Sequence, residues 1–376
     1  KIYNNNFKYI LVDEFQDTNF IQNKWLNLLV NEKQNICCVG DDDQSIYSWR
    51  GAEIKNFFNF DSIYKNCKIF KLEQNYRSTK NILETASTLI SHNNGRVEKK
   101  LWSSAQQGEK VKLNCYQTGR EEAEAISDIA EKKLKGKYSL NNVAILVRAI
   151  YQTREFEERF LKVGLGYRVL GGTKFYERSE VKDAVAYLRI INQKYDDLAL
   201  ERVIGNPRRG IGESTLNQLY LFGNQNKLCL EDSIKKNLEA NNLKPKMKTS
   251  LSQLTKLIDK WRLDSKTNKH YDLLKIALDE SGYSEMLKNK KDLENENRLE
   301  NIKELLRAMH DYDNIQSFLE HVALATSIDK EWEGEKINLM TMHAAKGLEF
   351  DVVFLPGWEE GLFPHQKSLE EKGDSA

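Results

Sequence analysis

Short apolar runs alternate with helix-period segments over the first 171 residues of the chain. The apolar runs predict β-strands at residues 9–12, 36–39, 68–72, 111–116 and 143–147. Apolar residues at spacings of three and four predict intervening helices, among them residues 80–91, 121–135 and 152–163. Strands and helices in alternation are typical of parallel βαβ units in one or two doubly wound sheets, so we predict an α/β fold.

The pattern changes after Gly171 and Gly172. Strand-like runs disappear, and apolar periodicity predicts helices at residues 181–191, 215–221, 251–263, 271–278, 299–309 and 315–324. Strand-like segments return at residues 337–342 and 352–355. The simplest topology is a helical domain inserted into an α/β domain, whose sheet the returning chain completes.

Composition narrows the class of protein only a little. With 376 residues the chain can hold two or three domains, and its formal net charge of +1 excludes a polybasic tail but not a local basic groove. The five cysteines show neither a disulfide framework nor metal-site spacing. Because no signal peptide or long apolar run is present, we expect a cytoplasmic protein. Since the sequence starts at Lys1 with a strand close behind, we expect a fragment of a longer protein.

Acidic residues follow each of the first two apolar runs. Asp13 and Glu14 come directly after the first run, and an Asp-rich segment ending in Gln44 follows the second. Open α/β sheets bind ligands at the carboxyl ends of their strands, where one acid can hold Mg²⁺ and its neighbour can activate a water. A solvated turn is the alternative interpretation of the acid pair. Asp17 or Thr18 is expected to cap the following helix.

Several segments together resemble the motifs of superfamily 1 DNA helicases of the UvrD/Rep/PcrA type. DEFQDTN and VGDDDQSIYSWRGA resemble motifs II and III, QNYRS resembles motif IV, and TMHAAKGLEF resembles motif V. The resemblance covers residues 7 to about 371. It implies RecA-like domain 1A at residues 1–67 and RecA-like domain 2A at residues 68–171 and 336–376. A helical domain 2B is then expected at residues 172–335, with GGTKFYERSEVKD matching the family segment at its entry.

The resemblance implies an ATP-dependent 3′–5′ DNA helicase or translocase that uses ATP and Mg²⁺. Asp13 would be the metal carboxylate, and Glu14 would activate the attacking water. Gln44 would sense the γ-phosphate, and Arg77 would act as an arginine finger. For the rest of the nucleotide, Tyr76 would stack on adenine.

The resemblance assigns two further nucleotide contacts to motif V. Glu349 would hold the ribose hydroxyls, and Gly347 would allow close approach of the backbone.

Ser78 or Thr79 is expected to cap the helix that follows motif IV.

The remaining candidates are contacts to DNA. Tyr47, Trp49 and Arg50 combine aromatic faces with a cation, which suits single-stranded DNA, although core aromatics beside a surface arginine would give the same pattern. Ser48 stands among them where the family usually has Gly. The resemblance assigns contacts with the DNA backbone to Thr341 and His343.

A Gly-Ile-Gly turn provides the expected contact with duplex DNA. Arg208, Arg209, Gly210 and Gly212 resemble a helix-hairpin-helix phosphate clamp, in which backbone N–H groups and arginines meet phosphates. A tight interhelical turn is the alternative interpretation. The expected partners are therefore single-stranded DNA and single-strand/double-strand junctions, with repair or replication proteins unidentified.

Two family elements do not occur in the printed sequence. It contains no G-x-x-x-x-G-K-[ST] phosphate loop and no motif VI arginine, so we expect residues 1–376 alone to bind DNA weakly and hydrolyse little ATP. The helicase portion of an AddA/RecB-like helicase-nuclease and a non-catalytic DNA-binding module are the alternatives. Glu14, Gln44 and Arg77 together favour the motor, because a pure binding module has no use for all three.

Overall fold

The chain folds into two compact units, which comprise Lys1–Cys115 and Tyr116–Ala376. The computed structural model describes residues 3, 6–64, 66–134, 136–289, 293–327, 333–364 and 369–370. The α/β fold class is confirmed, with parallel strands in both units. The boundaries expected for domains 1A, 2A and 2B stay a prediction.

The first unit contains two small parallel sheets. Strands β1 (Ile10–Val12) and β2 (Ile36–Cys38) pair in one sheet, and β3 (Gln74–Asn75) and β4 (Trp102–Ser103) pair in the other. The helices are α1 (Phe20–Leu29), α2 (Lys55–Phe58), α3 (Phe60–Ile63) and α4 (Lys80–Ile90). The chain therefore places one helix between the two strands of each sheet.

Helix α1 starts one residue later than the sequence suggested. Asn19 is its N-cap and accepts a 2.8 Å hydrogen bond from Gln22 N, while Gln22 Oε1 accepts a 2.9 Å bond from Asn19 N. The expectation that Asp17 or Thr18 caps this helix was wrong. Asn19 is the N-cap because Gln22, three residues later, completes a reciprocal capping box with it.

Two predicted strands of the first unit are absent. Residues 68–72 and 111–116 belong to no helix or strand, and Phe70 and Leu113 are 80% and 90% exposed. The apolar runs meet the compositional requirement for a strand. A strand also requires a hydrogen-bonding neighbour, and none of the described residues provides one for these two runs.

The second unit contains a four-stranded parallel sheet. Its strands are β5 (Val143–Val147), β6 (Tyr167–Val169), β7 (Ile337–Thr341) and β8 (Val352–Phe354), in the order β6-β7-β5-β8. Strand β7 pairs with both β5 and β6, with Ile145 opposite Leu339 and Tyr167 opposite Ile337. The chain thus returns to the middle of this sheet after its helices. Helices α5 (Gly119–Ile129) and α6 (Thr153–Val163) pack on it through Ile126 and Phe160.

A block of helices lies between β6 and β7 in the sequence. They are α7 (Ser179–Asn192), α8 (Asp197–Gly205), α9 (Glu213–Asn226), α10 (Leu230–Glu239), α11 (Pro245–Asp264), α12 (His270–Glu280), α13 (Tyr283–Asn289), α14 (Leu293–Met309) and α15 (Ile315–Ser327). They enclose a core that includes the fully buried Tyr187, Trp261 and Phe318. The six predicted helices are confirmed, and α8, α10 and α13 are additional. Within the described part of the chain, every helix is too short or too polar to span a lipid bilayer.

A buried polar network ties this helical block to the sheet. Arg178 donates to Asn301 Oδ1 at 2.7 Å and to Thr153 Oγ1 at 2.8 Å, and its guanidinium lies 3.5 Å from Glu157. Glu157 also accepts from Thr153 Oγ1 at 2.6 Å, and Asn301 donates to Glu180 at 2.5 Å. Because Thr153 and Glu157 belong to α6, Glu180 to α7 and Asn301 to α14, one network joins three helices.

Candidate functional site

The ends of β1 and β2 bring the two acidic segments of the first unit together. The strands are parallel, with Val12 opposite Cys38. Just beyond them, Val39 N donates to Val12 O at 2.8 Å and Phe15 N donates to Val39 O at 2.9 Å. Asp13 and Glu14 therefore lie beside Gly40 and Asp41 at the carboxyl edge of the sheet, as the sequence predicts.

Glu14 has an uncommon backbone conformation. Its φ of 50° and ψ of 42° lie in the left-handed region, which a non-glycine residue seldom adopts and which costs about 1–3 kcal/mol. The backbone N–H of Glu14 donates to Asp13 Oδ1 at 2.9 Å. Such strain persists only where surrounding contacts determine it, so the direction of the Glu14 side chain is set by the fold.

Gln16 links Glu14 to the second acidic segment. Its side chain is fully buried, Nε2 donates to Glu14 Oε2 at 2.6 Å, and Oε1 accepts from Asp41 N at 3.1 Å. A Cβ at Gly40 would lie 2.6 Å from Gln16 Oε1 and 2.9 Å from the Phe57 ring. Glycine at position 40 therefore leaves the room that the Gln16 amide occupies.

Gln44 is joined to the same set of contacts through Asp41. Gln44 Nε2 donates to Asp41 Oδ2 at 2.7 Å, and Asp41 Oδ1 accepts from Asp43 N at 3.1 Å. Residues 42–44 form a 3-10 turn for which Asp41 is the N-cap. A continuous path of covalent and hydrogen bonds thus runs from Glu14 through Gln16 and Asp41 to Gln44.

Three consecutive carboxylates, Asp41, Asp42 and Asp43, place oxygens within 4.8 Å of one another. Lys99 Nζ contacts all three, at 2.7 Å from Asp42 and 2.9 Å from Asp43. Arg96 binds Asp43 through two nitrogens, at 2.9 and 2.5 Å. Because these two cations already balance most of the charge of the three carboxylates, the triplet is an ion-pair cluster and fits a metal ion poorly.

The pKa values in this cluster follow from its pairing. The hydrogen bond from Arg96 lowers the pKa of Asp43 by more than burial raises it, and Lys99 adds to the lowering. Burial alone would lower the pKa of Lys99, but its hydrogen bonds to the three aspartates outweigh burial and raise it. Both residues are therefore charged at neutral pH.

The predicted single-stranded DNA residues form one exposed turn. Residues Ser48–Arg50 are a 3-10 turn ended by Gly51 at φ 85°. The Arg50 guanidinium carbon lies 4.7 Å from the Trp49 ring centroid and 5.7 Å from that of Tyr47. Trp49 is 52% exposed, which excludes the core interpretation for this residue, whereas Tyr47 is half-buried. Ser48 fits in place of glycine because the positive φ falls at Gly51.

The motif IV residues follow β3. Asn75 Oδ1 accepts from Arg77 N at 3.1 Å and from Ser78 N at 2.8 Å, which turns the chain into α4. Tyr76 is 80% exposed and donates to Gln74 Oε1 at 2.8 Å. Thr79 occupies the N-cap position of α4 as predicted, but its side chain makes no capping hydrogen bond.

The motif V residues follow β7 in the second unit. Thr341 Oγ1 accepts from Ala344 N at 3.2 Å, so its hydroxyl shapes the turn. His343 is half-buried, Glu349 is exposed and Gly347 has φ 83°. Gly347 therefore occupies a backbone conformation that favours glycine.

The Gly-Ile-Gly turn of the second unit presents one arginine to solvent. Arg208, Gly210 and Gly212 are exposed, and Gly212 is the N-cap of α9. Arg209 turns inward and donates to Pro207 O at 3.0 Å and to Val203 O, at the end of α8. The expectation of two arginines beside the turn was therefore wrong for Arg209, because carbonyl groups at the end of a helix bind it.

Two family models match this chain. Residues 1–65 match the UvrD/REP helicase N-terminal domain, and residues 70–374 match the UvrD-like helicase C-terminal domain. The chain belongs to the UvrD-like helicase family. The family expected from the sequence motifs is thereby confirmed.

Curated relatives of the UvrD-like helicase chain cover it almost completely. It is 44% identical over 377 residues to a probable DNA helicase II homolog of Rickettsia felis, covering 100% of this chain and 58% of that protein. It is 45% identical to the DNA helicase II of Rickettsia typhi, covering 100% of this chain and 57% of that protein. It is 38% identical to the ATP-dependent DNA helicase PcrA of Staphylococcus epidermidis, covering 99% and 52%. The chain thus spans little more than half the length of these relatives.

The structure brings together some of the predicted residues and adds others. Glu14 and Gln44 belong to one bonded path, and Tyr47, Trp49 and Arg50 form one turn. Sequence reasoning missed Gln16 and Asp41, which complete that path. The signal available was a glutamine two positions after Glu14, but its partner at position 41 is visible only in three dimensions. The functional roles of all these residues stay predictions.

Proposed function

We propose that this chain is part of an ATP-dependent 3′–5′ DNA helicase or translocase of the UvrD/PcrA type, acting in DNA repair or replication. The path from Glu14 through Gln16 and Asp41 to Gln44 carries the proposal. It holds an acid and an amide at the carboxyl edge of a parallel sheet, where nucleotides bind in α/β proteins. The names of the relatives support the same activity.

Asp13 is the metal carboxylate in this proposal. It is exposed at the end of β1, and carboxylate oxygens suit a hard cation. The aspartates at positions 41–43 fit that role less well, because Lys99 and Arg96 already form ion pairs with them. Mg²⁺, when bound, would neutralise charge between the β- and γ-phosphates of ATP.

The other groups act on the γ-phosphate and the attacking water. The Glu14 carboxylate orients the water and accepts its proton, and the Gln44 amide donates to a γ-phosphate oxygen. Arg77 offers a planar fork of N–H donors to the same oxygens, and Tyr76 presents an exposed ring for adenine. The proposal keeps Gly347 and Glu349 for the ribose side of the nucleotide.

Single-stranded DNA binds on the turn of Tyr47, Trp49 and Arg50 in this proposal. An exposed indole with a guanidinium over it offers a base a stacking face and a phosphate a counter-ion. Gln44 lies three residues before Tyr47, so a change at the γ-phosphate reaches the DNA turn through a very short stretch of chain.

The second unit supplies further DNA contacts in the proposal. Thr341 and His343 contact the backbone of the single strand, and Arg208, Gly210 and Gly212 contact the duplex side of a junction. Arg208 and both glycines are exposed, which supports contact with phosphates.

All five cysteines are free, which supports a reducing compartment such as the cytoplasm.

The decisive experiment replaces Glu14 by Gln in the natural full-length protein that carries this chain. Since Glu14→Gln keeps size but removes the proton acceptor, DNA-stimulated ATP hydrolysis should fall by about 100-fold or more. ATP binding should be retained, and unwinding of a duplex with a 3′ overhang should be lost. Glu32→Gln changes an exposed acid that belongs to none of the motifs, so it is the matched control and its activity should be unchanged. Normal hydrolysis by Glu14→Gln would refute the role proposed for Glu14. If the unchanged protein unwound only duplexes with a 5′ overhang, the proposed 3′–5′ direction would be refuted.

A further inference from the structure

Gln16 uses both ends of its side-chain amide, and it does so in complete burial. Nε2 donates to the Glu14 carboxylate at 2.6 Å, while Oε1 accepts from the Asp41 backbone at 3.1 Å. A buried amide requires partners for its donor and its acceptor, and here both partners belong to acidic segments at the sheet edge. A glutamate at position 16 would lack the donor, and a methionine would lack both groups.

The donor contact constrains Glu14 directly. Gln16 binds a single carboxylate oxygen, Oε2, and the backbone of Glu14 is held in the left-handed conformation. The hydrogen bond from the buried Gln16 amide therefore orients the carboxylate, although Glu14 itself is exposed. A general base must keep its oxygen within about 0.5 Å of the productive position, which an exposed glutamate without such a partner does not do.

The acceptor contact constrains Gln44 at one remove. Gln16 fixes the backbone N–H of Asp41, and the side chain of Asp41 holds the Gln44 amide at 2.7 Å. Gly40 is part of this arrangement, because an added Cβ would collide with Gln16 Oε1. One side chain thus sets the relative position of two groups that lie 30 residues apart.

We infer that Gln16 is a positioning residue for ATP hydrolysis, which fixes the Glu14 carboxylate relative to the Asp41–Gln44 turn. This inference rests on the proposed function and deepens it. If Gln16 only filled space in the local core, it would need nothing but apolar contacts. A positioning residue has to act through Glu14, and that difference can be measured.

The test is a double-mutant cycle in the natural full-length protein that carries this chain. Gln16→Met keeps the length of the side chain and removes both hydrogen bonds. It should lower kcat for DNA-stimulated ATP hydrolysis by about 10-fold or more and change KM for ATP by less than about 3-fold. In the Glu14→Gln background, followed by single-turnover hydrolysis, the same change should cost less than about 2-fold, because its target is already absent.

Asn56→Leu is the matched control. Asn56 is a buried amide of the same unit, which donates to Thr18 O at 3.1 Å and accepts from Asn23 at 2.9 Å. Its replacement should lower thermal stability but leave kcat within about 2-fold in both backgrounds. If Gln16→Met does not fold, Gln16→Asn serves instead, because it keeps a neutral amide that is one methylene too short to bond the Glu14 carboxylate and Asp41 N together.

The outcomes separate the inference from the function on which it rests. An unchanged kcat in a folded Gln16 variant, or an equal loss in both backgrounds, would overturn the inference even if Glu14→Gln still lowered hydrolysis by about 100-fold or more. Full hydrolysis by Glu14→Gln alone would overturn the proposed function first.

Discussion

The two units of the chain use charged and apolar side chains in opposite ways. In the first unit, Asp43, Arg96 and Lys99 form a part-buried ion-pair cluster beside the proposed nucleotide residues. In the second unit, Arg178 and Glu157 are about 95% or more buried and join three helices. Charge in the first unit therefore orients an exposed edge, whereas charge in the second unit fixes the packing of helices.

The apolar residues show the same contrast. Both contiguous clusters of buried apolar residues lie in the second unit. In the described part of the first unit only Phe15, Leu26, Tyr64 and Leu83 are buried apolar side chains, while Phe70 and Leu72 are more than 79% exposed. Regions with few buried contacts open at low free energy, so the first unit should be the less stable of the two. The groups proposed to act on the γ-phosphate and the attacking water therefore lie in the unit with the fewer buried apolar side chains.

The largest effect is expected from the buried network of the second unit. Arg178→Met leaves the Glu157 carboxylate buried without its counter-ion, which should lower the free energy of unfolding by about 3–5 kcal/mol. Hydrogen exchange of α6 and α7 against urea would measure the loss. Arg298→Met is the control, since the side chains of Arg298 and Glu294 are 37% and 74% exposed in their ion pair and its loss should cost less than about 1 kcal/mol. Equal losses in the two variants would remove the contrast.

The same variant should depend on pH in a defined direction. Burial raises the pKa of Glu157 above its ordinary value of 4.5, and Arg178 opposes that rise. Without Arg178 the pKa rises further, so the folded state holds the proton more tightly than the unfolded state. A raised folded pKa stabilises below the unfolded value and loses that contribution as pH rises. The loss caused by Arg178→Met should therefore shrink as pH falls from neutrality towards 4.5 and should be smallest below that value.

Core phenylalanines provide the next comparison. Phe160 of the second unit is fully buried, so Phe160→Ala should cost about 3–5 kcal/mol. Phe70 of the first unit is 80% exposed, and Phe70→Ala should change stability by less than about 0.5 kcal/mol. Urea denaturation of both variants is the measurement. A large loss for Phe70→Ala would mean that residues 68–72 are buried in solution, and it would restore the strand predicted there.

Phe70 also shows what could be learned about the fold from sequence. Apolar runs correctly predicted β1, β2, β5, β7 and β8, and each of these strands has a parallel partner. The runs at residues 68–72 and 111–116 have the same composition, but pairing is a property of the neighbours. Strand β6 was missed because Tyr167–Val169 is only three residues long with a polar residue at its centre.

The candidate site likewise contains residues that could be predicted from the sequence and residues that could not. The motif residues that end strands were predictable, because the strands themselves were. The contacts of Gln16 and Arg209 were not predicted, because the direction of a long polar side chain depends on which groups lie near it in the folded chain. Gln16 finds Asp41 N, 25 residues away, and Arg209 finds carbonyl groups at the end of α8.

Two glycines test the packing difference on a smaller scale. Gly40→Ala in the first unit would press against Gln16 and Phe57, so it should destabilise by about 1–3 kcal/mol. Gly205, the last residue of α8 in the second unit, has open space around it and no positive φ. Gly205→Ala should therefore stabilise by up to about 1 kcal/mol. Thermal denaturation of the two variants would show shifts of opposite sign, and a neutral Gly40→Ala would contradict the tight approach to Gln16.

The smallest expected effect comes from Asp43, and its pH dependence is opposite to that of Glu157. The hydrogen bond from Arg96 lowers the pKa of Asp43 below its ordinary value of 3.8. A lowered folded pKa contributes stability that is present above 3.8 and is lost as pH falls through the folded value. Asp43→Asn should therefore lower the stability of the first unit by about 1 kcal/mol or less at pH 6.

Hydrogen exchange of residues 36–50, with labelling times corrected for pH, would check this sign. The difference between the Asp43→Asn variant and the unchanged protein should narrow as pH falls from 6 to 3, since acid removes the same charge that the substitution removes. Lys112→Met is the control, because the side chains of Lys112 and Glu109 are more than 70% exposed in their ion pair. A difference that widens in acid would show that the aspartates are held by something other than Arg96 and Lys99, and the ion-pair account of this edge would then fail.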